Sequence, residues 1–172
     1  MKTKKQEELV NSYLNAFDDE TGSLYREIIT YLSELGYNPK KEKSSISFKH
    51  GSHNKQMAKM GTKVSKSKGV SPFFSLRFSG CRGYSRRFED IIAAYIAKYP
   101  ARAARCTEAG CNFCGGEAGT HVYTHVFPNG ANKSHCGAYA IEIPCVTPDD
   151  LDEIKRLIKE EHEYLLKYET GK

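Results

Sequence analysis

Apolar residues recur at three- and four-residue spacing in some stretches of the chain and at alternate positions in others. Leu9, Val10, Tyr13, Leu14 and Phe17 mark a first amphipathic helix, and Asp18-Asp19-Glu20-Thr21-Gly22 interrupts the pattern. Leu24, Ile28, Tyr31, Leu32 and Leu35 mark a second helix. Thr21 or Ser23 can cap its start, and Gly36 is placed to end it in the left-handed conformation. The two form a helical hairpin. From Ser45 the period falls toward two, predicting strands at Ile46 to Lys49, Gln56 to Met60 and Phe73 to Phe78. Tyr84 to Tyr99 returns to helical spacing, with Ser85 as cap and Pro100 as stop. His121 to Phe127 and Ala138 to Ile143 read as two strands joined through Pro128-Asn129-Gly130, where Asn-Gly supplies a positive φ at low cost. A final helix starts at Thr147-Pro148-Asp149-Asp150, with a capping hydroxyl, proline at the first helical position and an acid three residues after the cap. Leu151, Ile154, Leu157, Ile158, Leu165 and Leu166 carry it on.

With no internal repeat and no long linker, this order predicts one α+β domain over residues 1–172. An antiparallel sheet of about five strands is covered by helices, with the helical hairpin at the N-terminus, a helix at the C-terminus and a cysteine-rich loop at 105–120. A chain of 172 residues buries roughly 70% of its unfolded surface, enough for a core without disulfide staples. The start of the chain has no apolar run, and no stretch approaches a bilayer span, so a cytoplasmic protein with no membrane contact is expected. In a reducing compartment six cysteines are more naturally thiols or metal ligands than disulfides.

The net charge of +5 is unevenly placed: Lys40 to Lys68 holds nine lysines against one acid, Glu42, whereas Asp149 to Glu169 is rich in carboxylates. The first reading is solvated surface, since lysines protect sheet edges from pairing, and contact with a nucleic acid or other polyanion is the alternative.

The strongest local signal is Cys106-Thr-Glu-Ala-Gly-Cys111-Asn-Phe-Cys114-Gly-Gly. Two residues between Cys111 and Cys114 let both sulfurs address one ion, and the glycine after Cys114 resembles the tight knuckle of zinc ribbons. Cys136 is the expected fourth ligand because its strand belongs to the hairpin that follows the loop, with His121, His125 and His135 in reserve. Structural zinc is the expected cofactor. The same C-x4-C-x2-C spacing resembles the cluster loop of plant-type ferredoxins, which implies a [2Fe-2S] cluster as the alternative. A third reading keeps the cysteines as small buried hydrophobes, as expected for Cys81 and Cys145. A redox pair at Cys111 and Cys114 would need to open a helix, and Gly115-Gly116 argues against one.

Two further groups of residues invite a site. On a strand His121, Tyr123, His125 and Phe127 share one face and can line a pocket, against the plainer reading of a half-exposed sheet face. Arg82, Arg86 and Arg87 surround the start of the third helix, where the backbone already favours an anion, although surface charge explains them as well. No phosphate loop, nucleophile elbow or paired-histidine zinc helix occurs, so no catalytic residue is expected and a binding protein is favoured over an enzyme. Its expected partner is a small ligand or another protein. Gly137-Ala-Tyr-Ala-Ile-Glu-Ile-Pro, followed by Asp150-Leu-Asp-Glu-Ile-Lys-Arg-Leu-Ile, resembles the ending of the small YdhG-like α/β proteins, some assigned by analogy as iron chaperones. The resemblance spans about two thirds of the chain, treats the cysteine loop as an insertion, and implies a fold more than an activity.

Overall fold

The structure, a computed structural model, describes residues 3–66, 69–102 and 119–167. Helix α1 (Lys4–Leu14) is capped by Thr3, whose Oγ1 accepts from the Gln6 amide. Helix α2 (Asp19–Glu34) begins five residues before its first predicted apolar position. The acidic run that reads as a break is its cap and first turn: Asp18 Oδ1 accepts from the Thr21 amide at 2.8 Å, and Asp19 and Glu20 sit where the helix dipole favours carboxylates. Gly36, at φ +87°, ends α2 as expected.

Among the described residues seven strands follow these two helices, in two sheets. Strands β1 (Tyr37–Lys41), β2 (Ser45–His50), β3 (Gln56–Ser65), β4 (Gly69–Leu76) and β7 (Ile141–Glu142) form one antiparallel sheet in the order β1-β2-β3-β4-β7. Strands β5 (Val122–Val126) and β6 (Asn132–Cys136) form a separate ribbon. The turn at Pro128-Asn129-Gly130 is the predicted one, with Gly130 at φ +80°, but its second strand is Asn132–Cys136 rather than Ala138 to Ile143. Ile141 and Glu142 cross instead to the main sheet, where they pair with Leu76 and Ser75.

Register places Ile46, Phe48, Ala58, Met60, Phe74, Leu76 and Ile141 on one face of the large sheet, all buried. This face meets the helical layer of α1, α2 and the C-terminal helix α4 (Leu151–Lys167), with Tyr25 edge-on to Phe74 at 6.1 Å. The opposite face carries the row Ser47, Lys59, Ser75 and Glu142. Helix α3 (Arg86–Lys98), capped by Ser85, lies beside β7 and the small ribbon. Beyond Gly61 β3 pairs only with β4, so residues 62–65 and 69–72 form a projecting arm that carries the exposed pair Val64 and Val70.

Candidate functional site

Cys106, Cys111 and Cys114 lie outside the described residues, but both approaches to their segment are fixed. On the entry side Arg102 donates to the Tyr95 hydroxyl at 2.6 Å, and its guanidinium sits 4.2 Å from the centre of the Tyr99 ring and 5.1 Å from that of Tyr139. On the return side Gly119 turns at φ +78°, and the Thr120 carbonyl accepts from Arg82 Nη2 at 2.6 Å. Val122 comes two residues later and pairs with Cys136.

The ribbon sends Cys136 and His135 to opposite faces, as neighbours on a strand must go. Cys136 packs on Val122 as a half-buried free thiol. His135 pairs with Tyr123 and points inward, 1% exposed, with the Tyr95 ring 4.9 Å away and the Tyr139 ring at 5.8 Å. Neither of its nitrogens has a hydrogen-bond partner among the described residues. Burial lowers its pKa, Arg102 adds to the lowering and the Cys136 backbone opposes it, so a neutral imidazole with an available lone pair is buried beside the ribbon. An unsatisfied polar group in such a place costs about 1–3 kcal/mol. Among the described residues no group of three or more His, Cys, Asp or Glu side chains is arranged to hold a metal ion. Cys81 is buried, donating Sγ–H to the Leu157 carbonyl at 3.3 Å, whereas Cys145 is exposed and holds a φ of +49°.

His121 and Tyr123 belong to a closed polar network. Arg77 Nε donates to Glu161 Oε1 at 2.7 Å, and its Nη2 donates to His121 Nε2 at 2.5 Å. With Nε2 accepting, the proton of neutral His121 sits on Nδ1 and points to Ser79 Oγ at 3.0 Å, which donates on to the Gly137 carbonyl at 3.2 Å. Glu161 Oε2 accepts from the Gly80 amide at 2.5 Å, and Tyr123 takes the Phe78 amide at 2.9 Å. Burial, then Arg77, pushes His121 down to about 3. Burial pushes Glu161 up while Arg77 and the Gly80 amide pull it back. Arg77, Ser79, His121 and Glu161 are all buried, so this network joins β4, β5 and α4 rather than facing a ligand. Tyr164 stacks on His121 at 4.9 Å. Two close approaches enclose the network: a Cβ on Gly80 would lie 2.6 Å from Tyr164 Cγ, and one on Gly137 would overlap the His121 carbonyl. His125, on the outer part of β5, packs edge-on against Phe127 at 4.7 Å.

The three arginines are also engaged within the chain. Arg82 donates to the carbonyls of Cys81 and Thr120. Exposed Arg86 pairs with Asp90 at 3.3 Å. Arg87 forks onto both oxygens of Asp150, at 2.6 and 3.0 Å, and reaches the carbonyls of Pro144 and Cys145. Three lysines of the Lys-rich stretch are paired: Glu42 meets Lys59 at 2.8 Å and Lys49 at 3.9 Å, and Glu142 pairs with Lys63.

A scan against protein-family models finds no match, and neither do searches of the curated proteins and of the solved structures. No helix among the described residues is long and apolar enough to cross a membrane.

The network residues escape a reading by period alone, yet each leaves a trace. Glu161 occupies the gap in the apolar stripe between Ile158 and Leu165, where helical spacing calls for a buried residue. Arg77 lies between Leu76 and Phe78 in an apolar run. Two opposite charges at positions that should be buried are the signal of an internal pair.

Proposed function

We propose that the protein is a small metal-binding protein that holds one structural zinc through Cys106, Cys111 and Cys114, with the fourth ligand from the end of β6. The register of the ribbon carries this reading. Cys136 lies opposite Val122, eight residues after Cys114, so the end of β6 is beside the point where the cysteine segment returns. Thiolates suit zinc, and such a site would contribute folding free energy because it does not exist in the unfolded chain. Cys136 supplies the fourth thiolate in the primary form. The orphaned nitrogens of His135 favour a second form, Cys3His, in which coordination would remove the cost of leaving that ring unpaired.

Elemental analysis and a visible spectrum of freshly purified protein test this directly. The expected result is one zinc per chain and no colour. Cys114→Ser should release the metal and lower Tm. Cys136→Ser and His135→Gln then separate the two forms, since the true ligand is the one whose loss weakens zinc binding by at least about tenfold. A metal-free protein, or unchanged zinc content in Cys114→Ser, refutes the proposal, and a coloured iron protein replaces zinc with the [2Fe-2S] reading.

A further inference from the structure

Between α3 and the open face of the large sheet runs a groove of about 660 Å³, within the size range of small-molecule sites. One stripe of α3 forms its first wall: Ile91, Ala94, Tyr95 and Lys98, at helical spacing, continued by Tyr99. Phe88, Ile92 and Ile96 occupy the core-facing stripe of the same helix, and the wall stripe lies beside it, with Ile91 and Tyr95 half-buried against the core and Ala94 and Lys98 exposed. Lys63, Glu142 and Pro144 form the opposite wall. Apolar contact is concentrated where Tyr95 and Tyr99 meet, their ring centres 4.9 Å apart and their planes inclined at 58°, which makes a corner able to receive a flat body. The Tyr95 hydroxyl is held by Arg102, which fixes the ring, while its edge-on contact with His135 lies on the core side.

The charges around the groove select the sign of the ligand. Arg87 is committed to Asp150, Asp90 to Arg86, and Lys63 to Glu142. That leaves Lys98, exposed and without a carboxylate in ion-pair distance among the described residues, its ammonium 5.3 Å from the centre of the Tyr99 ring. The groove is thus an apolar corner with two cations beside it, Lys98 at the rim and Arg102 over the Tyr99 ring, neither with a carboxylate in ion-pair distance among the described residues. We infer that it is a binding site for a small organic carboxylate with a flat apolar body, whose ring lies against Tyr95 and Tyr99 and whose carboxylate meets Lys98. The residues named as its walls lie outside the cysteine segment.

Titration with 2-naphthoate, followed by amide chemical shifts, tests the assignment, with the neutral isostere 2-naphthalenemethanol as the comparison. Saturable binding should shift the amides of Ile91, Tyr95, Lys98 and Tyr99, and the alcohol should bind at least about fivefold more weakly, the scale of one charge-assisted contact. Lys98→Gln, which keeps a good helix former, should reduce the preference for the acid over the alcohol, and Lys98→Gln with Arg102→Gln should erase it. Ala94→Leu, at an exposed position, should fill the groove and weaken both compounds. Lys43→Gln, on the other side of the sheet's strand β3, should bind as the parent does. No saturable binding at millimolar concentration, equal affinity for the acid and the alcohol, or parental behaviour in any groove variant overturns the inference. Because zinc content is measured separately, its loss and the loss of naphthoate binding remain distinguishable.

Discussion

Arg77 and Glu161 form the buried ion pair on which three elements meet, with side-chain exposures of 5% and 0%. Removing one member leaves the other charged and without its partner in a low-dielectric interior. Arg77→Met should therefore cost about 3–5 kcal/mol, and the double change Arg77→Met with Glu161→Leu should recover much of it, because the apolar pair avoids desolvation altogether. Urea unfolding of the two variants checks this, and a double variant no more stable than the single one would mean that His121 and Ser79 need the charges for their own hydrogen bonds. Sequence makes the two residues noticeable as charges in apolar runs, but it does not bring them together. Their positions are 84 residues apart, and only the packing of α4 against the end of β4 supplies the contact. His135 was less legible still. On an alternating strand it reads as any histidine would, and its orphaned state depends on Tyr95 and Tyr139 arriving from two other segments.

The helices were readable because caps and stripes are local, as Ser85 and Gly36 illustrate. The failures concern strands. Strand β1 is Tyr-Asn-Pro-Lys-Lys, with a proline and no alternation, and it is a strand because it forms an edge beside β2, where a missing amide can be tolerated. Strand β7 has only two residues, too short for any periodicity, and owes its place to β4. The expected partner of β5 was displaced for the same reason: turn chemistry located the bend, but the short hairpin loop pairs β5 with Asn132–Cys136 and leaves Ile141 to the main sheet. Arg87 holds this crossing in place by binding Asp150 and two carbonyls between β7 and α4. Asp150 in turn accepts from the Thr147 amide at 2.9 Å and the Thr147 hydroxyl at 3.1 Å. Arg87→Lys keeps the charge and loses the fork, so it should lower stability by about 1–2 kcal/mol and speed amide exchange at Ile143. Unchanged stability would place the hold on α4 elsewhere.

For the molecule as a whole, the histidines set the response to acid. His121, His135 and His162 are each depressed, burial being the largest cause in all three. A depressed histidine binds its proton in the unfolded chain before the folded one, so its contribution is complete above the ordinary histidine pKa and is lost as pH falls below it. For His121 the window runs from 6.5 down to about 3. Each such histidine removes up to about 1.4 kcal/mol per pH unit within its window. Raised Glu161 acts in the opposite sense, since its contribution is present at low pH and is lost as pH rises from its unfolded value. Unfolding free energy should therefore fall between pH 7.5 and 5.5, and His121→Gln should flatten that fall by nearly one proton's worth. A wild-type curve level across the interval would contradict the account. Within the basic stretch Glu42 pairs with Lys49 and Lys59, and Glu142, far away in sequence, pairs with Lys63.

The two glycines against the buried network carry a consequence for descent. A lineage that keeps Tyr164 and Ser79 in this packing has no room for a side chain at 80 or 137, so these positions constrain one another around the network of Arg77, His121 and Glu161. Arg77-Phe-Ser79-Gly80, a lone His121, Gly137 and Glu161-His-Glu-Tyr164 thus make a fingerprint spread over four segments. Kinship to this chain would show in that fingerprint after the rest of the sequence had drifted beyond comparison.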